Sequence, residues 1–257
     1  LKPDTENMQP FGFDILVFDE LESTNLFVVE NEEMNALPEG TVVWAKRQTA
    51  GIGQSGNSWS SEAGKNLTFS IVLRPDFLAV QSQFELHKVL SVALWNTLHE
   101  IMPQRDDIKI KWPNDIYVGT KKICGMLVNN IVSGNNYRLA VAGIGLNVNQ
   151  TAFDPSLPNP TSLKNLTGDD FELFNILQKL LHNVVLWYDI LKNNYLQKIN
   201  KEYFANMLDF GERKNYRYRN AEIQATITGV DKFGRLQLQT ADKQSLVCDI
   251  KEVQFII

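Results

Sequence analysis

Residues 50–66, AGIGQSGNSWSSEAGKN, are rich in glycine and small polar residues and lie between two β-forming runs, GTVVWAKRQ (40–48) and LTFSIVLRP (67–75). Gly51-Ile52-Gly53-Gln54-Ser55-Gly56 has the letters of GxGxxG. In a dinucleotide-binding fold that motif must open a helix whose N-terminus meets a pyrophosphate. Here a polar stretch and then a strand follow, which excludes that fold, and the absence of GxxxxGK[ST] excludes an ordinary P-loop. What remains is a strand–loop–strand whose glycines let the backbone approach a ligand closely and whose N–H groups can bind anionic oxygens. A mobile surface hairpin would have the same composition.

The other segments alternate between strand and helix patterns. FGFDILVFDE (11–20) reads as a strand, and Ser23, Thr24 and Asn25 start a short amphipathic run to Met34. Leu86, Val89, Leu90, Ala93, Leu94, Leu98 and Ile101 recur at helical steps and predict a helix over about 83–102, ended by Pro103. DIKIKWPNDIYV (107–118) and KKICGMLVNNIV (121–132) predict a hairpin about Gly119-Thr120, YRLAVAGIGLNVN (137–149) a further strand, and residues 150–168 a loop. Asp169 and Glu172 have capping-box spacing and predict the start of a long helix faced by Phe174, Leu177, Leu181, Val184, Tyr188 and Leu191. A shorter helix is expected over 195–208, and after Phe210 the short runs AEIQATITGV, GRLQLQT, SLVCDI and VQFII predict a small all-β unit. The expected division is 1–210 and 211–257.

Composition narrows the function classes. The 257-residue chain is 44% hydrophobic and 21% charged, as a packed domain requires, with net charge -5, which disfavours a long nucleic-acid footprint. No apolar run reaches membrane-spanning length, and LKPDTENMQP lacks a signal-peptide pattern. Cys124 and Cys248 are expected to be reduced thiols, and the three histidines stand apart, without zinc-site spacing.

Lys109-Ile110-Lys111-Trp112-Pro113-Asn114-Asp115 puts two lysines on one strand face and an Asp after a turn, a set that suits phosphate and magnesium or simply a solvated edge strand. Gly143-Ile144-Gly145-Leu146-Asn147-Val148-Asn149 suits close packing against a flat ring, with Asn to meet an adenine edge, or else a tight turn.

Taken in order, STN, QTAGxGxxGNxW, KWPND, KxxGxL and GIGLNVN resemble the biotin–protein ligase family from about Phe11 to Gln150. The resemblance implies an α/β (α+β) fold, a mixed sheet flanked by helices of the class II aminoacyl-tRNA-synthetase-like, biotin–lipoate ligase type, followed by a small SH3-like β-barrel. It implies ATP and magnesium as cofactors, biotin as substrate and a biotin carboxyl carrier protein as partner. Biotin is activated as biotinyl-5'-AMP and passed to a carrier lysine. By motif position Lys122, Lys111 and Asp115 would be catalytic, with Asp115 the candidate magnesium ligand. Ser23, Thr24, Asn25, Gln48, Gly51, Ile52, Gly53, Gln54 and Lys122 would hold biotin. Gly53, Gln54, Gly56, Asn57, Trp59, Asn114 and Asn147 would hold ATP and the adenylate.

One position departs from the family pattern. Members usually carry a basic residue between the first two loop glycines, where this chain has Ile52, and Lys46 or Arg47 could supply the charge instead. The lipoate or octanoate ligases share the reaction type, but their Arg-Arg-x-x-Gly-Gly-Gly pattern is absent. The chain starts almost at the first catalytic strand, so no helix-turn-helix repressor domain is expected; with net charge -5 no DNA partner is expected, and without a membrane-spanning run no membrane partner. A cytoplasmic location is expected, and homodimerisation is left open.

Overall fold

The computed structural model describes residues 12–35, 37–134 and 136–256. It contains strands β1 (Asp14–Leu21), β2 (Thr41–Gln48), β3 (Leu67–Leu73), β4 (Ile108–Lys111), β5 (Asp115–Val118), β6 (Lys121–Ser133) and β7 (Asn136–Leu146). These form one seven-stranded sheet in the order β1-β2-β3-β7-β6-β5-β4. β1 pairs with β2 in parallel, and every other pairing in it is antiparallel. Helices α1 (Thr24–Asn35), α2 (Phe84–Ile101), α3 (Leu163–Thr167), α4 (Leu173–Lys192) and α5 (Leu196–Ala205) flank it. A second, antiparallel sheet in the order β11-β10-β9-β8-β12 gathers β8 (Arg213–Tyr218), β9 (Ala221–Val230), β10 (Leu236–Thr240), β11 (Ser245–Cys248) and β12 (Val253–Phe255) into an SH3-like unit.

Strand alternation divides the large sheet into two faces. Leu67, Phe69 and Ile71 of β3 and Ala140, Ala142, Ile144 and Leu146 of β7 enter the main core with α2, α4 and α5. The opposite face packs Val72, Leu139 and Val141 beneath Val28 of α1 in a smaller cluster. α1 covers only part of that second face, and the uncovered part carries the site described below. Among the described residues no helix is long and apolar enough to cross a membrane. Cys124 and Cys248 are both free and buried.

Four expectations need correction. The expected first strand begins at Phe11, which lies outside the described residues, and β1 starts at Asp14. Residues 107–118 are two short strands, because the chain reverses at Trp112-Pro113-Asn114 and pairs Lys111 with Asp115. The loop 150–168 contains α3, capped by Ser162 Oγ accepting from Asn165 N at 3.1 Å. The Asp169/Glu172 capping box does not form: Asn149 clamps Phe171 through its Oδ1 (2.9 Å) and Nδ2 (2.7 Å), which delays α4 to Leu173. β8, RKNYRY, had no expected counterpart: its charges mask the alternation that buries Tyr216.

Candidate active site

The floor of the site is built by register. Across the sheet, Lys111 stands opposite Asp115, Asp115 opposite Gly125, Gly125 opposite Gly145 and Gly145 opposite Thr68. Directly opposed residues point to one face, so a single row crosses five strands with its charged end on β4 and β5. A neighbouring row pairs Leu127 with Gly143 and Gly143 with Ser70. The glycines keep this surface low. A Cβ on Gly145 would lie 2.2 Å from Trp59 Cε2, and one on Gly143 would lie 2.8 Å from Asn25 Nδ2. The flat ring expected against the GIG segment is therefore the chain's own Trp59 indole.

Residues 51–59 fold back as a small hairpin. Trp59 N donates to Gly51 O at 2.8 Å, Gly53 N to Asn57 O at 2.7 Å, and Ile52 bridges Ser58. A 3-10 turn at 54–56 forms its tip, with Gly56 at φ +88°. Ile52 is 48% exposed. Lys46 Nζ pairs with Asp19 at 2.7 Å and Arg47 with Glu20 at 2.8 Å, both on neighbouring β1.

Three cavities meet at Lys122 and Trp59. The inner one, about 50 Å³, is lined by Ser23, Thr24, Asn25, Gln48, Ile52, Gly53, Gln54, Asn114, Gly125, Gly143 and Gly145, among others. Its polar wall is prearranged. Gln48 Oε1 accepts from Thr24 N at 2.8 Å and Thr24 Oγ1 at 3.1 Å, Thr24 Oγ1 lies 2.8 Å from Ser70 Oγ, and Asn129 Nδ2 donates to Asn25 Oδ1 at 2.7 Å. The second is an apolar cavity of about 320 Å³ walled by Phe153, Leu157, Pro158 and Pro160, with Asn147 at its edge. The third is a polar cleft of about 400 Å³ between the hairpin and the C-terminal sheet, lined by Gly53, Gln54, Asn57, Asn114, Asp115, Ile250, Lys251 and Gln254.

Lys122 Nζ sits 2.7 Å from Asp115 Oδ1 and 5.7 Å from the Trp59 ring centroid, above Gly125. Asn114 Nδ2 donates to Met126 O at 2.6 Å, which leaves its amide oxygen for a cation or an ammonium group. Asn147 Nδ2 donates to Thr161 O at 2.9 Å. Its oxygen is thus the atom it can offer an adenine amino group. Lys111 lies outside all three cavities, between the rings of Tyr117 (5.0 Å) and Phe255 (5.3 Å). Burial there lowers its pKa, opposed by the Asp115 carboxylate.

Gly51 is buried behind Trp59, and Gly56 lies exposed at the hairpin tip; neither lines any of these three cavities. The apolar wall 153–160 and the C-terminal residues 250–254 were not among the expected site residues. The proline and leucine run of the first could have signalled an apolar wall, whereas nothing local marks the second.

The biotin/lipoate A/B protein ligase family matches residues 17–148. The bifunctional ligase/repressor BirA of Bacillus subtilis is 31% identical over 89% of this chain and 70% of its own length. A biotin–[acetyl-CoA-carboxylase] ligase of Paracoccus denitrificans is 29% identical over 77% of this chain and 83% of its own. Among solved structures, the biotin protein ligase from Aquifex aeolicus in complex with biotin and ATP superposes with a TM-score of 0.76 at 26% identity, covering 93% of this chain and 97% of that one. In sequence and in architecture, this chain belongs to the biotin/lipoate A/B protein ligase family.

Proposed function

We propose that the protein is an ATP-dependent biotin–protein ligase that forms biotinyl-5'-AMP and transfers biotin to a lysine of a biotin carboxyl carrier protein. The observation that carries this reading is the meeting of a polar-walled inner cavity, an apolar cavity and a polar cleft at one lysine, Lys122. An acid, an adenine ring and a polyphosphate can then share one reacting centre. Ser23, Thr24, Asn25 and Gln48 offer the donors and acceptors that a ureido ring needs, which a dithiolane on an alkyl chain would leave unpaired. This favours biotin over lipoate.

In the first step a biotin carboxylate oxygen attacks the α-phosphorus of ATP, and the bond to pyrophosphate breaks. In the second the carrier amine attacks the acyl carbon, an amide forms, and AMP leaves. The protein's part is alignment and charge neutralisation. The Lys122 ammonium, a compact charge with three donors, bridges the carboxylate and the α-phosphate, and Asp115 holds it in place. Asn114 and Asp115 present oxygens to the incoming lysine. A magnesium ion enters as part of Mg-ATP; one carboxylate suits an ion that keeps waters and phosphate oxygens, and Asp115 would be its protein ligand. Among the described residues no cluster of three acidic, His or Cys groups is available for a resident metal.

We assign residues 1–210 to the catalytic domain and 211–257 to the SH3-like domain, and infer a cytoplasmic setting from the two buried reduced thiols. The test is to incubate the protein with Mg-ATP, biotin and a biotin carrier domain and to weigh the carrier. A mass increase by one biotin is the expected result. An unmodified carrier, or one modified only when lipoate replaces biotin, would refute the assignment.

A further inference from the structure

We infer that Lys251, on the turn between β11 and β12, binds the pyrophosphate portion of the nucleotide and supplies the cation that the hairpin 51–57 lacks. The inference rests on the ligase reading above. With the acid in the inner cavity and adenine in the apolar one, the arm left for the β- and γ-phosphates is the polar cleft, where Lys251 faces Gly53, Gln54 and Asn57. Drawing a polyphosphate out of water requires charged or N–H partners. The hairpin GIGQSGN carries no cation. Lys122, the other cation lining the cleft, is held by Asp115 at 2.7 Å and assigned above to the carboxylate and the α-phosphate, which leaves the β- and γ-phosphates to another cation. Lys111 lies outside it, between two rings. Lys251 is exposed and makes no ion pair among the described residues.

The turn that carries Lys251 is fixed before any ligand arrives. Glu252 N donates to Asp249 O at 2.9 Å, and Asp249 N donates to Glu252 Oε2 at 3.0 Å. Arg219 locks the same residue from β8's end, its backbone N donating to Glu252 O at 2.9 Å and its Nε to Glu252 Oε1 at 2.9 Å. The main chain beneath the ammonium is therefore already ordered, and binding has to order only the lysine side chain.

The experiment measures biotin-dependent pyrophosphate release, with KM for Mg-ATP and for biotin determined separately, and in a second assay transfer to the carrier from preformed biotinyl-adenylate. Lys251→Ala should raise KM for Mg-ATP about tenfold, the effect of one charge-assisted hydrogen bond, and leave KM for biotin and the transfer step unchanged. Lys251→Arg should stay near wild type. An unchanged KM for Mg-ATP in Lys251→Ala, or a defect confined to the transfer step, would overturn the inference. If the wild-type chain itself released no pyrophosphate, the ligase reading would fall instead.

Discussion

Adding one methyl group to Gly145 tests the seating of the Trp59 indole. The new Cβ would lie 2.2 Å from Cε2, 2.6 Å from Cζ2 and 2.7 Å from Nε1 of Trp59. Ordinary carbon contacts begin near 3.5 Å, so the ring must retreat by roughly 1.3 Å. It cannot do so freely, because Trp59 N is bonded to Gly51 O at 2.8 Å and a Cβ at Gly51 would already touch Trp59 O. Gly145→Ala should therefore strain or open the hairpin, with an overpacking cost of about 1–3 kcal/mol. For a chain of this size, that lowers Tm by roughly 3–10 °C. In a Trp59→Ala background the methyl group meets no ring, and the same substitution should cost almost nothing. Thermal unfolding of the four proteins in this cycle gives the coupling directly. A Gly145→Ala protein with wild-type Tm, or an equal drop with and without Trp59, would refute the packing argument.

Lys122→Ala should abolish biotin-dependent pyrophosphate release and also lower stability by about 1 kcal/mol, since Asp115, with its side chain only 15% exposed, loses its partner at 2.7 Å; near-normal release would remove Lys122 from the chemistry. Ile52→Arg should slow escape of biotinyl-adenylate by roughly tenfold, read by preloading the protein and chasing with unlabelled ligand. Equal or faster escape would mean that this loop position needs no cation. Burial lowers the pKa of His87, stacked on Phe84 at 5.4 Å, from 6.5 to about 4, opposed by a backbone hydrogen bond at Gln83. The unfolded chain takes up this proton from about pH 6.5 downward while the folded one resists it to about pH 4. Stability should thus fall by about 1–2 kcal/mol across that window, after allowance for partial exposure, and His87→Gln should flatten the fall in denaturant titrations.

The elements that were legible in the sequence are those whose signal is local. Helix α2 follows from its apolar steps and Pro103, and β3, β6 and β7 from apolar runs broken by glycine turns. Order and spacing of the short motifs also brought Ser23, Thr24, Asn25, Gln48 and Lys122 to one expected site, and the fold sets all five on one cavity. What the motifs could not convey is pairing. Nothing in KWPND or GIGLNVN says that Asp115, Gly125, Gly145 and Thr68 stand in one row, because that row exists only once four strands are in register. The same limit applies to GIGLNVN itself, where Asn147 faces the apolar cavity while Asn149 is consumed in clamping Phe171.

That register also explains why the C-terminal sheet belongs to the reaction's surroundings. The KWPND turn closes the charged end of the row, and its residues reach both units: Asn114 donates to Met126 O on β6, while Trp112 Nε1 donates to Gly234 O at 2.9 Å in the C-terminal unit. One residue earlier, Lys111 is enclosed by Tyr117 of the large sheet and Phe255 of the small one. A lysine between two rings keeps its charge off the solvent while still lying opposite Asp115. Its positive field therefore offsets the carboxylate without competing for the oxygen that holds Lys122. Removing the second sheet would expose Lys111, free the Trp112 indole N–H and take away Lys251 together. The charge pattern around Lys122 is thus a property of the two sheets packed as one body.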